Sequence, residues 1–175
     1  MQNLKLAKYI SEEDIQKKVK ELGGQLTEKF KNKNPVAICV LKGSFMFYSD
    51  LIRNVGTDLT CEFFGVSSYH GTSSSGEVKV TLDLSTPVEN KDVILIEDIM
   101  DTGLTMNYLK NTLLARKPRS LTTVALLEKP DALKVPCHLD MVGFKIPNDF
   151  VVGYGLDYQG LYRNLPYIAQ VQNFN

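Results

Sequence analysis

Between residues 97 and 105 the chain places three carboxylates (Glu97, Asp98, Asp101), two hydroxyls (Thr102, Thr105) and a glycine, Gly103. Free backbone N–H groups at the start of a helix, backed by the positive end of its dipole, hold a phosphate. Thr102 and Thr105 add hydroxyl donors, and Gly103, lacking a Cβ, lets the backbone come close. Carboxylates beside a phosphate repel it unless they have other work. An adjacent acid pair can bind sugar hydroxyls or a bound Mg²⁺, and a third acid can accept a proton from an incoming group. The set points to a phosphorylated sugar. By themselves, Asp101 and Thr102 would do equally well as ordinary helix caps.

The elements around this string decide between the two readings. Val93 to Ile96 is an apolar run without alternation, as expected of a strand buried on both faces, and it stops at Glu97-Asp98. Met106, Leu109 and Leu113, with Leu114 alongside, then recur at helical spacing until Lys117-Pro118. Strand, acidic turn and helix place the loop at the carboxyl end of a strand, where open α/β sheets bind ligands. A second run, Val36 to Leu41, also ends in a turn, Lys42-Gly43-Ser44. Phe45, Tyr48, Leu51 and Ile52 continue it as a helix. Two strands ending in Gly-bearing turns are compatible with opposed phosphate loops, although Lys42-Gly43 alone would equally be an ordinary turn.

VILIEDIMDTGLT closely resembles the phosphoribosyl-pyrophosphate (PRPP) motif of type I phosphoribosyltransferases. The resemblance runs from about Leu4 to Val171 and implies a single α/β domain over residues 1–175. Its fold would be a twisted, mostly parallel sheet flanked by helices, with a small C-terminal hood at about 145–170. In this family Glu97 and Asp98 would hold the ribose hydroxyls, directly or through Mg²⁺. Asp101, the catalytic candidate, would sit by the purine, and Thr102, Gly103, Leu104 and Thr105 would surround the 5′-phosphate. Lys42 and Gly43 would contact pyrophosphate, in a loop where 6-oxopurine members carry a cis peptide, here Leu41-Lys42. The polar segment 67–77 becomes a mobile lid, with Ser68 and Tyr69 closing over the reacting centre. A lid keeps an activated sugar pyrophosphate from water.

The last third narrows the subgroup. Lys129, at the end of the predicted strand Leu121 to Leu127, matches the family lysine that donates to the exocyclic oxygen of a 6-oxopurine. FVVGYGLDY resembles the hood of bacterial hypoxanthine-guanine phosphoribosyltransferases. There Phe150 would stack on the base, the Val151 backbone would meet its edge, and Asp157 would reach Mg²⁺. Arg163 would pair with pyrophosphate in a fork. The resemblance thus implies a Mg²⁺-dependent purine-salvage enzyme joining hypoxanthine or guanine to PRPP, and by analogy a homodimer or tetramer. The rival from another class is a PRPP-binding regulator that binds RNA.

Elsewhere the chain is ordinary. Its 175 residues are 43% hydrophobic and 23% charged with zero net charge, which removes the broad electrostatic argument for nucleic-acid binding. No apolar run reaches the roughly 20 residues that span a bilayer, and the N-terminus lacks a signal-peptide core. Cys39, Cys61 and Cys137 are widely spaced and read as reduced apolar fillers of a cytoplasmic protein. Ser11 should cap an amphipathic helix carrying Ile15, Val19, Leu22, Leu26 and Phe30 on one face. Leu59 to Val66 and Val78 to Leu84 should be strands, the second alternating and antiparallel. His70 and His138 have no assigned role.

Overall fold

A computed structural model describes residues 4–68 and 78–172. Its main sheet takes strands β2 (Val36–Leu41), β3 (Thr60–Ser68), β4 (Val78–Leu82), β5 (Asp92–Met100), β6 (Ser120–Glu128) and β7 (Met141–Lys145). They lie in the order β4-β3-β2-β5-β6-β7, parallel except for β4, which runs antiparallel to β3 as its alternation predicts. From β2 the chain first builds outward through β3 and β4, then returns to lay β5 on the other side of β2. That reversal is a topological switch point, so a crevice opens between the carboxyl ends of β2 and β5.

Helices cover both faces. Helix α1 (Glu12–Lys29) starts at Ser11, whose hydroxyl accepts from the Asp14 N–H at 3.1 Å, and it buries Ile15, Val19, Leu22 and Leu26. With α2 (Phe45–Ile52) it packs against Ala37, Cys39, Ile94 and Ile96. On the other face α3 (Leu104–Leu114) sets Met106, Leu109 and Leu113 against Val36, Ile38, Val93 and Leu95. Alternate residues of β2 and β5 thus feed two cores, which is why these strands read as unbroken apolar runs.

Three local expectations need correction. Strand β5 does not stop at the acids but runs on to Met100, because β6 continues to pair with it through Ile99↔Leu127 and Met100↔Glu128. Backbone pairing is indifferent to the polarity of the side chains it carries. Phe45 and Leu114 point outward, at 37% and 52% exposure, while Phe47 fills the inward position of α2. Cys39 is buried, but Cys61 is exposed and fills nothing; all three cysteines are free.

The hood is a separate antiparallel sheet of β1 (Leu6–Ile10), β9 (Ile168–Val171) and β8 (Val151–Val152), in that order. Its outer strand comes from the N-terminus, which the sequence reading left unassigned. Among the described residues no helix is long and apolar enough to cross a membrane.

Candidate active site

The motif loop closes on a pocket of about 200 Å³ lined by Glu97, Asp98, Ile99, Met100, Asp101, Thr102, Gly103, Thr105 and Met106. Gly103 has φ +82°, a left-handed conformation, and a Cβ there would lie 2.9 Å from the Val135 carbonyl oxygen. It stands at the N-cap of α3, and no side chain caps the helix. The Leu104 N–H meets the Thr102 hydroxyl only at a long 3.4 Å. Simple capping by Asp101 and Thr102 therefore fails as an account of these residues. The first turn of α3 instead presents backbone N–H groups to the pocket. Leu104 itself is exposed, and Thr105 lines the pocket.

The two adjacent acids carry an electrostatic load. Burial, then the neighbouring Asp98 charge, pushes the Glu97 carboxyl well above the usual carboxylate range. Asp98 is pushed up to about 6, chiefly by burial and also by Asp157; the Ile99 N–H and the Arg163 guanidinium pull the other way. Two desolvated carboxylates side by side create a site that cations and hydroxyl donors relieve.

The loop after β2 meets Asp98 directly. The Leu41-Lys42 peptide is cis. Gly43 packs so closely that a Cβ on it would fall 1.6 Å from Asp98 Oδ2. Lys42 is exposed beside it, and Ser44, fully buried, donates its hydroxyl to the Val40 carbonyl. From the hood side, Gly155 (φ +100°) presses on the same loop, a Cβ there lying 2.0 Å from the Gly43 carbonyl oxygen. Gly155 in turn donates to the Arg163 carbonyl at 3.0 Å and accepts from Arg163 Nη1 at 2.5 Å. Arg163 Nη2 lies 2.6 Å from Asp157 Oδ1, while Asp157 Oδ2 accepts from the Gly160 N–H at 2.7 Å. Residues from three distant parts of the sequence are thus in one contact chain: Asp98, Gly43, Gly155, Arg163, Asp157.

Next to Asp101, Lys129 is only 6% exposed, so a lysine at this strand end is not simply solvated. Its Nζ lies 3.6 Å from Asp101 Oδ2, and Asp101 is otherwise open to solvent. A buried ammonium with one loose carboxylate partner is well placed to donate to a ligand oxygen. Phe150 belongs to the hood, edge-on to Tyr158 at 5.9 Å, and its carbonyl accepts from Val171. Val151 is buried and pairs with Gln170. Ser68 ends β3. Tyr69 and the lid segment 69–77 lie outside the described residues.

The donor chemistry suits Mg²⁺ in one specific way. Among the described residues no three His, Cys, Asp or Glu side chains group to hold a metal on their own. Mg²⁺ is commonly held by one or two carboxylates together with substrate phosphates, and Glu97 and Asp98 in the pocket lining, with Asp157 further out on the Arg163 pair, are compatible with that mode. Sequence reasoning missed Gly155, Tyr154 and Asp50. The one available signal was the Gly-Tyr-Gly pattern at 153–155, where both glycines take φ +100°.

Comparison with known proteins agrees with this geometry. The model of the phosphoribosyl transferase domain matches residues 9–159. A hypoxanthine-guanine phosphoribosyltransferase of Bacillus subtilis is 54% identical over 161 residues, covering 91% of this chain and 89% of that protein. A crystal structure of a hypoxanthine-guanine phosphoribosyltransferase from Bacillus anthracis superposes with a TM-score of 0.91 at 45% identity, covering 97% of this chain and 99% of that one. A hypoxanthine phosphoribosyltransferase structure from Staphylococcus aureus gives 0.91 at 51% identity, over 97% and 92%. The chain belongs to the phosphoribosyltransferase family and has the type I fold.

Proposed function

We infer that this protein is a hypoxanthine-guanine phosphoribosyltransferase of purine salvage, converting PRPP and hypoxanthine or guanine into the nucleotide and pyrophosphate. The observation that carries the reading is that two separate segments close on the acidic motif that lines the pocket. The acidic motif supplies a helix N-terminus, Lys42-Gly43 lies against Asp98, and Lys129 is buried beside Asp101. The names of relatives at 54% and 52% identity over more than nine-tenths of the chain support the same activity. They give no support to an RNA-binding regulator.

In this reading a C–N bond forms at the anomeric carbon as the C–O bond to pyrophosphate breaks, through an oxocarbenium-like transition state. The α3 N-terminus with Thr102, Gly103, Leu104 and Thr105 holds the 5′-phosphate and so fixes the sugar. Glu97 and Asp98 face the ribose hydroxyls, and the negative charge the pair carries once a cation relieves its repulsion favours the developing oxocarbenium. Asp101 takes or shares the proton leaving the purine, with Lys129 donating to the 6-oxo group. Lys42, the Gly43 backbone and Arg163 face the departing pyrophosphate; Phe150 and the Val151 backbone meet the base. Mg²⁺ held by Glu97, Asp98 and Asp157 would supply positive charge to the pyrophosphate when bound. Ser68 and Tyr69 belong to the proposed lid. We place the enzyme in the cytoplasm, as a self-associating dimer or tetramer.

The test mixes the protein with PRPP and, separately, hypoxanthine, guanine, xanthine, adenine or orotate, with and without Mg²⁺. Conversion of hypoxanthine or guanine that stops on chelation is the expected result. Conversion of adenine or orotate alone would overturn the base assignment, and PRPP binding without turnover on any base would overturn the activity.

A further inference from the structure

Tyr154 has an unusual backbone and an unusual partner. It takes φ +49° between two glycines at φ +100°, a region that L-residues with large side chains rarely occupy. It is nevertheless 5% exposed, its ring packed in the core shared with α1 and α2, outside the hood's own cluster. Its hydroxyl donates to Asp50 Oδ2 at 2.6 Å, a contact spanning 104 residues of sequence. Gln16 on α1 donates to the same oxygen at 3.0 Å, and Arg53 pairs with Oδ1. Burial works against the Asp50 charge, but the bonds from Tyr154, Gln16 and Arg53 outweigh it and hold the carboxyl below its usual range. Burial and the Asp50 partner together push the Tyr154 phenol up, so it stays a donor.

The two ends of this bond sit on the two halves of the pyrophosphate site. Asp50 lies on α2, which begins directly after Lys42-Gly43-Ser44. Tyr154 immediately precedes Gly155, which touches the Gly43 carbonyl and is bonded twice to Arg163, itself paired with Asp157. We propose that Tyr154 and Asp50 are a positioning pair, holding the Arg163–Asp157 arm of the hood in fixed register against the Lys42-Gly43 loop. The pair touches neither substrate; it acts through the backbone of residues 153–157. The kinetic part of this inference rests on the transferase reading above.

A misplacement of about 1 Å at reacting groups costs on the order of a hundredfold. Partial loss of register in Tyr154→Phe, which keeps the ring and removes one hydroxyl, should therefore lower kcat/KM for PRPP about tenfold or more. The KM for hypoxanthine, whose contacts lie at Lys129, Phe150 and the Val151 backbone, outside residues 153–157, should change less than PRPP kinetics do, by under about threefold. Asp50→Asn still accepts from Tyr154 and should fall between wild type and Tyr154→Phe. The double variant Tyr154→Phe/Asp50→Asn should be no worse than Tyr154→Phe. A purely structural role would lower Tm and leave kcat/KM for PRPP intact well below it. Hydrogen exchange gives a readout independent of activity. The Tyr154 and Gly155 amides, bonded to the Leu165 and Arg163 carbonyls, should exchange faster in Tyr154→Phe at unchanged global protection. Wild-type kinetics for PRPP in Tyr154→Phe, or unchanged exchange at these amides, would overturn the proposal. An inactive wild type would instead count against the transferase reading, with the exchange result still deciding the positioning role.

Discussion

Gly43→Ala is the smallest change that tests how the site is assembled. The added methyl would lie 1.6 Å from Asp98 Oδ2 and 2.6 Å from its Cγ, where ordinary contact begins near 3.4 Å. Gly43 is not among the glycines with positive φ, so alanine fits the backbone and only the methyl is at issue. Relief requires either the Asp98 carboxylate or the Lys42-Gly43 loop to move by roughly 2 Å, more than the ~1 Å that already costs about a hundredfold in rate. Steady-state kinetics should show kcat/KM for PRPP down by about a hundredfold or more, with little change in KM for the purine. Inserting a methyl into a packed contact costs about 1–3 kcal/mol, or roughly 2–10 °C in Tm for a chain of this size. A double-mutant cycle isolates the clash. Asp98→Ala removes the atoms in the way, so the double variant should recover the Tm lost in Gly43→Ala. Catalysis within twofold of wild type in Gly43→Ala, or strictly additive Tm losses, would refute the contact as drawn.

The same geometry sets further expectations. Asp101→Asn should cut kcat by about 10²–10⁴-fold, the usual scale of general base catalysis, while calorimetry still detects PRPP binding. Full activity would remove Asp101 from the proton path. Lys129→Met removes a charged donor to the base, worth about 1.5–3 kcal/mol, so KM for hypoxanthine should rise roughly ten- to a hundredfold with that for PRPP unchanged. Asp92 gives a pH test remote from the site. Hydrogen bonds from Arg119, at 2.5 Å, and from Ser120 hold its carboxyl down to about 2, against the opposing effect of burial. A depressed carboxyl stabilises the fold above its unfolded pKa near 3.8 and loses that contribution as pH falls toward 2. With Arg119 largely in solvent the contribution is screened to about 1–2 kcal/mol. Asp92→Asn should therefore unfold more readily than wild type at pH 7, with the gap narrowing below about pH 3.8 and closing only below about pH 2 in denaturant titrations; a pH-independent gap would sink the assignment.

Much of this molecule is local enough to be read from the chain. The unbroken run Val93–Ile96, the glycine and threonines after it and the helical spacing of Met106, Leu109 and Leu113 each act over a few residues. They specify this strand–turn–helix unit wherever it is placed. The same holds for Ser11 capping α1 and for the alternation in β4. Strand β8 has only two residues and β9 four, too short for alternation to register, and β1 joins them from the opposite end of the chain. Burial of Lys129 could not be read either, since a lysine after a strand is solvated unless tertiary packing closes over it. What only the folded structure decided is the meeting of separate segments: Gly43 on Asp98, Gly155 on Gly43, and Tyr154 on Asp50 across 104 residues. Residue type and spacing set the chemistry each loop can offer. Which loops face one another is set by sheet order and by close contacts between backbones, and those depend on the whole chain having folded.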